Sequence, residues 1–157
     1  ILIEPEYKLT PASKMVGLDG QKMSKSYNNT IALREEPKEV EKKIRTMPTD
    51  PARIRRNDPG NPNNCPVWQL HQVYSMEKTQ KWAKEGCTQA GIGCVECKQP
   101  IIESVLKELK PIQERAKDYI ESPDLVKSVV AEGCEKARKL ARDTMRDVRE
   151  VMGIDLS

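Results

Sequence analysis

The sequence contains no phenylalanine and only 4% aromatic residues, so its core must be built from Val, Ile, Leu, Ala and Met. No apolar run approaches the ~20 residues of a membrane-crossing helix, which excludes such a helix and leaves no membrane role to expect. Charge of one sign is barely in excess: 27 Lys and Arg against 24 Asp and Glu give a net charge of +3. That balance is compatible with nucleic-acid contact but does not argue for it. The single histidine, His71, reads as a helix-surface or packing residue and not as a ligand. There is no internal repeat and no low-complexity tract. The chain opens at Ile1 with no methionine and no targeting signal, so a fragment is expected; its 157 residues suit one medium domain, or a small domain plus a piece of another.

What remains is charge-rich, with 32% charged residues, and the periodicity predicts a mostly helical protein. Residues 1 to about 33 read as strand or loop. A helix starts at Pro37, with Val40, Ile44 and Met47 at helical spacing. The segment "TMPTDPARIRRNDPGNPNN" is a turn-rich connector with Arg45, Arg53, Arg55 and Arg56 around it. Its default reading is a solvated loop, with contact to a polyanion as the alternative. Asn63 or Asn64 is placed to cap a helix with Pro66 in its first turn, and a short helix over 76–86 should end at Gly86. "GCTQAGIGCVECKQP" is too rich in glycine and cysteine to read as regular helix.

From Pro100, the residues Ile102, Val105, Leu106, Leu109, Ile112 and Ala116 form one stripe, and Pro111 predicts a kink or two abutting helices. Ser122 and Pro123 open a last helix that Gly153 should close. The two long helices are expected to pack antiparallel, with Cys134 in the core.

Two segments carry chemistry. "GLDGQKMSKSYNNT", residues 17–30, is nearly devoid of apolar side chains. Gly17 and Gly20 allow positive φ and close backbone approach, Lys22 and Lys25 carry ammonium groups on flexible stems, and Ser24 and Ser26 add hydroxyls. This is a mobile loop with cationic tips, suited to a polyphosphate; a plain solvated loop is the bland alternative. The second segment holds four of the five cysteines, Cys65, Cys87, Cys94 and Cys97, in a C-x21-C-x6-C-x2-C array. The odd total, without a secretory signal, argues against a disulfide framework and for a reduced compartment with a metal or redox site. Four thiolates fit tetrahedral zinc or an iron–sulfur cluster; small buried hydrophobes are the alternative.

"QKMSKS" resembles the KMSKS signature of class I aminoacyl-tRNA synthetases. "TDPARIRRNDPGNP", "GIGCVECK" and "LKPIQERAKDYIES" are similar to the tryptophanyl branch, in that order along nearly the whole chain. The resemblance implies the last piece of a Rossmann-like α/β catalytic domain over 1–33, then a helical anticodon-binding domain over 34–157 that carries the cysteines. It implies that the full-length enzyme is a cytoplasmic homodimer. That enzyme activates tryptophan with ATP and Mg2+, then passes it to tRNA(Trp).

Lys22 and Lys25 are then the catalytic cations on the ATP phosphates. Ser24 and Ser26 hold the loop or donate to phosphate oxygens, and the backbone near Met23 lies against the adenine. The four cysteines resemble those of the subset of this branch that binds a [4Fe–4S] cluster, with zinc as the alternative. The family's HIGH signature is absent, so the chain alone is expected to be inactive, with its lysines in solvent. Two rival readings are a non-catalytic, metal-stabilised helical RNA-binding module and a cysteine redox sensor.

Overall fold

The computed structural model describes residues 2–10 and 12–154, so the expectations for residues 1, 11 and 155–157 lie outside the described residues. The fold is mostly helical, with five α-helices and no strand among the described residues: α1 Pro37–Thr46, α2 Pro66–Tyr74, α3 Glu77–Thr88, α4 Cys94–Glu121 and α5 Pro123–Met152. Three of them open on proline, whose fixed φ suits the first turn and whose missing N–H costs nothing there. Gly153, in the left-handed region at φ 66°, closes α5 as expected. No helix of the described residues is long and apolar enough to cross a membrane.

Several boundaries differ from expectation. The cap of α2 is Cys65, not Asn63 or Asn64. Helix α3 runs past Gly86 to Thr88, and α4 begins at Cys94. The cysteine-rich segment is therefore mostly helical, and only residues 89–93 turn the chain. Gly86 makes that turn possible: a Cβ there would meet the Ile92 side chain, while the Gly86 carbonyl accepts from the N–H groups of Gly91 and Ile92. Pro100 and Pro111 both lie inside a single α4, so the chain does not divide into two helices at Pro111.

The chain separates into two compact units. The first, Leu9–Glu114, owns the core. There Val40 and Ile44 of α1, Val67 and Leu70 of α2, and Ile101, Ile102, Val105 and Leu109 of α4 pack together with Val16 and Met47. Ile44, Ile101 and Val40 are fully buried, each such side chain contributing about 1.5–3 kcal/mol. Lys98 fastens α4 to the end of α1 by donating to the carbonyls of Arg45 (2.7 Å) and Met47 (2.6 Å).

The second unit includes the stretch from Arg115 through α5. No described residue of α5 is buried, so the burial expected from antiparallel packing of the long helices is not seen. Cys134, expected in the core, is exposed. Surface ion pairs such as Lys136–Glu132 at 2.6 Å run along this helix instead.

Candidate active-site loop and candidate metal centre

The lysine loop closes on itself. An isolated antiparallel bridge joins Val16 and Lys22, and Met23 N–H donates to the Met15 carbonyl at 2.9 Å. Gly20 takes φ 84° at the tip, a conformation that side chains rarely adopt. Gly17 serves differently: a Cβ there would collide with the side-chain amide of Asn29.

Asn29 locks the loop base. It is 3% exposed; its Oδ1 accepts from Ser24 N–H at 2.7 Å, and its Nδ2 donates to Asp19 Oδ1 at 2.7 Å and to the Lys22 carbonyl at 3.1 Å. The Asn29 amide and then the Gln21 N–H, which donates to Asp19 Oδ1 at 2.9 Å, hold the Asp19 carboxyl below its ordinary range. Past the lock, Lys25–Tyr27 form a 3-10 turn that Asn28 ends in the left-handed region. Ser24 Oγ and Ser26 Oγ lie 2.8 Å apart, and Met23 is half-buried. Lys22 and Lys25 are exposed, and neither is in an ion pair among the described residues. The loop thus presents two unneutralised ammonium groups from a fixed base. Nothing in the sequence pattern singles out this lock, whose only signal is a side-chain amide able to bond three partners at once.

The four cysteines come from three helices. Cys65 caps α2, and Cys94 and Cys97 lie in the first turn of α4; helix N-termini favour thiolate. Cys87 lies in the last turn of α3, at the opposite pole. All are free and half-buried, and Cys65 and Cys94 are near enough for their charges to bear on Cys87 and Cys97. Burial, then the charges of Cys65, Cys87 and Cys94, push the Cys97 thiol up to about 12. Burial also raises Cys87, against the pull of Arg53. Among the described residues no three His, Cys, Asp or Glu side chains are gathered tightly enough to hold a single ion, so the ion-sized cage that zinc needs is not formed.

Two neighbours were missed in the sequence. His71 is 1% exposed, a packing residue and not a surface one. Its Nδ1 meets Ser75 Oγ at 2.8 Å, and its Nε2 meets the Cys97 carbonyl at 3.0 Å and Cys97 Sγ at 3.3 Å. Burial lowers its pKa. Arg53, assigned by default to a solvated connector, is 8% exposed: its Nη2 donates to the carbonyls of Arg56 and Ile92, both at 2.7 Å, and its Nη1 lies 3.9 Å from Cys87 Sγ. The other connector arginines are exposed, and Arg45, Arg55 and Arg56 line an open groove of about 780 Å³ beside Gly93 and Cys94.

Comparison with known proteins places the chain. The family model described as "tRNA synthetases class I (W and Y)" matches residues 1–110. The chain belongs to this family. Among the class I relatives, the tryptophan–tRNA ligase of Ralstonia nicotianae is 59% identical over 157 residues, covering 100% of this chain and 39% of that protein. That of Thermotoga maritima is 49% identical over 152 residues, covering 96% of this chain and 46% of its own. The crystal structure of the Campylobacter jejuni tryptophanyl-tRNA synthetase, complexed with ADP and tryptophan, matches with a TM-score of 0.74 at 31% identity. It covers 95% of this chain and 46% of that one. The chain therefore spans less than half the length of these synthetases.

Proposed function

We propose that the chain is the C-terminal part of a cytoplasmic, homodimeric tryptophan–tRNA ligase, which activates tryptophan with ATP and Mg2+ and transfers it to tRNA(Trp). The observation that carries this reading is the lysine loop: a base pinned by buried Asn29 and two exposed ammonium groups without ion pairs among the described residues. When the tryptophan carboxylate attacks the α-phosphate, negative charge gathers on the phosphates, and cations already in place lower that barrier. Lys22 and Lys25 supply them; Ser24 and Ser26 shape the loop or donate to phosphate, and the Met23 backbone lies along the adenine. Residues 1–33 complete the catalytic domain, and residues 34–157 form the anticodon-binding domain. In the full-length enzyme Lys25→Ala should depress amino-acid-dependent pyrophosphate exchange by about 10²–10³-fold, with little change in tRNA affinity. Equal losses in both would favour a non-catalytic RNA-binding module, the reading that the arginine-lined groove supports.

We also infer that Cys65, Cys87, Cys94 and Cys97 hold a [4Fe–4S] cluster. The donor set fits: four half-buried free thiols, three of them at helix N-termini, with a buried guanidinium nitrogen, Arg53 Nε, that has no partner among the described residues. Zinc, the smaller alternative, would need the sulfurs drawn in around one ion. When bound, such a centre would tie the ends of α2, α3 and α4 together. Iron, sulfide and zinc analysis of anaerobically purified protein tests this, and a folded, metal-free, colourless sample would refute it.

A further inference from the structure

Arg53 is a buried cation with no anion to answer it among the described residues. Its neighbour Arg56 pairs with Glu96 at 3.7 Å, but no carboxylate of the described residues pairs with Arg53. The nearby buried Asp50 is occupied by the N–H groups of Ala52 (3.1 Å) and Asn61 (2.7 Å). Burying a guanidinium among neutral carbonyls is costly unless an opposite charge stands beside it. The other buried cation, Lys98, already has a structural place at the carbonyl end of α1, where a helix terminus is negative. Arg53 has only part of one: Nη2 is satisfied, Nε has no partner among the described residues, and Nη1 points to sulfur.

That sulfur is the one thiol of the four that its helix disfavours as an anion. Cys65, Cys94 and Cys97 sit at positive helix ends, whereas Cys87 sits in the last turn of α3. Around Cys87 the packing is close: a Cβ on Gly60 would meet both Cys87 Sγ and Arg53 Cδ, and Gly60 N–H donates to the Cys87 carbonyl at 3.0 Å. Glycine lets the two approach from the connector. Accordingly, we propose that Arg53 is a positioning residue that supplies the counter-charge for Cys87 thiolate in the four-cysteine centre, replacing the helix dipole that the other three thiolates enjoy.

This inference rests on the metal reading above, and the test separates the two. Full-length wild type, Arg53→Gln and Arg53→Lys are purified anaerobically; bound metal, midpoint potential and the rate of metal release to a chelator are measured. Removing the positive charge should speed release by about tenfold or more, the range for lost outer-sphere partners. It should also make the centre harder to reduce and lower its midpoint potential, because the reduced centre carries the extra negative charge that the guanidinium offsets. Arg53→Lys keeps the charge without the fork of donors and should restore most of the potential. Metal-loaded wild type and Arg53→Gln with equal potentials and release rates overturn the proposal while sparing the metal reading, as does equal loss in both variants. A metal-free wild type overturns both. If Arg53→Gln does not fold, Arg53→Lys decides: loading as wild type supports the counter-charge, and an empty, folded variant refutes it.

Discussion

Helix α4 in its first four turns and helix α5 along its whole length carry the same kind of apolar stripe, yet their fates differ. In α4 the stripe meets α1, α2 and the residues flanking the lysine loop, and Ile101, Ile102, Val105 and Leu109 are buried. In α5 Val129, Val130, Leu140 and Val151 remain exposed, Leu140 at 71% and Val151 at 76%. An amphipathic pattern specifies a helix that is able to bury a face, while burial itself needs a facing element. The covered region also holds both candidate sites. A loop pinned by Asn29 and thiols drawn from three helices keep their geometry only where the elements are locked together.

The largest effect that would break this contrast comes from paired truncations. Ile101→Ala should cost about 2–5 kcal/mol in urea unfolding, whereas Leu140→Ala should change stability by less than about 0.5 kcal/mol. Comparable losses would mean that α5 has a covering partner in solution.

Within the covered unit, Asn29→Ala strips three hydrogen bonds and should cost about 1–3 kcal/mol. Lys22→Ala and Lys25→Ala should stay within about 0.5 kcal/mol of wild type by thermal melt, which would separate the lock from the cations it presents. The same lock has an acid limit. Asp19 is held below its ordinary pKa by the Asn29 amide and the Gln21 N–H, so its contribution is full above the ordinary aspartate value of about 3.9 and is lost as pH falls through the lower, folded value. Amide exchange at Gln21 and Ser24 should accelerate over that window beyond its intrinsic pH dependence, and Asp19→Asn should remove the pH-dependent part.

The smallest effect belongs to α5. Glu132→Gln, which breaks the exposed pair with Lys136, should lower stability by about 0.2–0.5 kcal/mol, and the difference should vanish in molar salt. A larger, salt-resistant loss would show that the helix is covered after all.

Much was legible in the order of residues. Pro37, Pro66 and Pro123 mark helix starts and Gly153 a helix end, because these residues act through φ and one missing or added hydrogen bond, within a turn of themselves. The lysine loop and the cysteine spacing also announced themselves as patterns of residue type. The cysteine loop was misjudged because glycine and cysteine content suggests irregular backbone, while helices α3 and α4 need only five residues, 89–93, to change direction. Tertiary structure alone decided that Arg53 is buried and its sequence neighbours are not, that His71 touches Cys97, that Asn29 threads three bonds, and that Cys134 lies outside any core. The physical reason is range. Capping, turn chemistry and periodicity operate over about four residues, whereas burial and charge compensation depend on segments brought together from far along the chain, as Arg53 and Ile92 are.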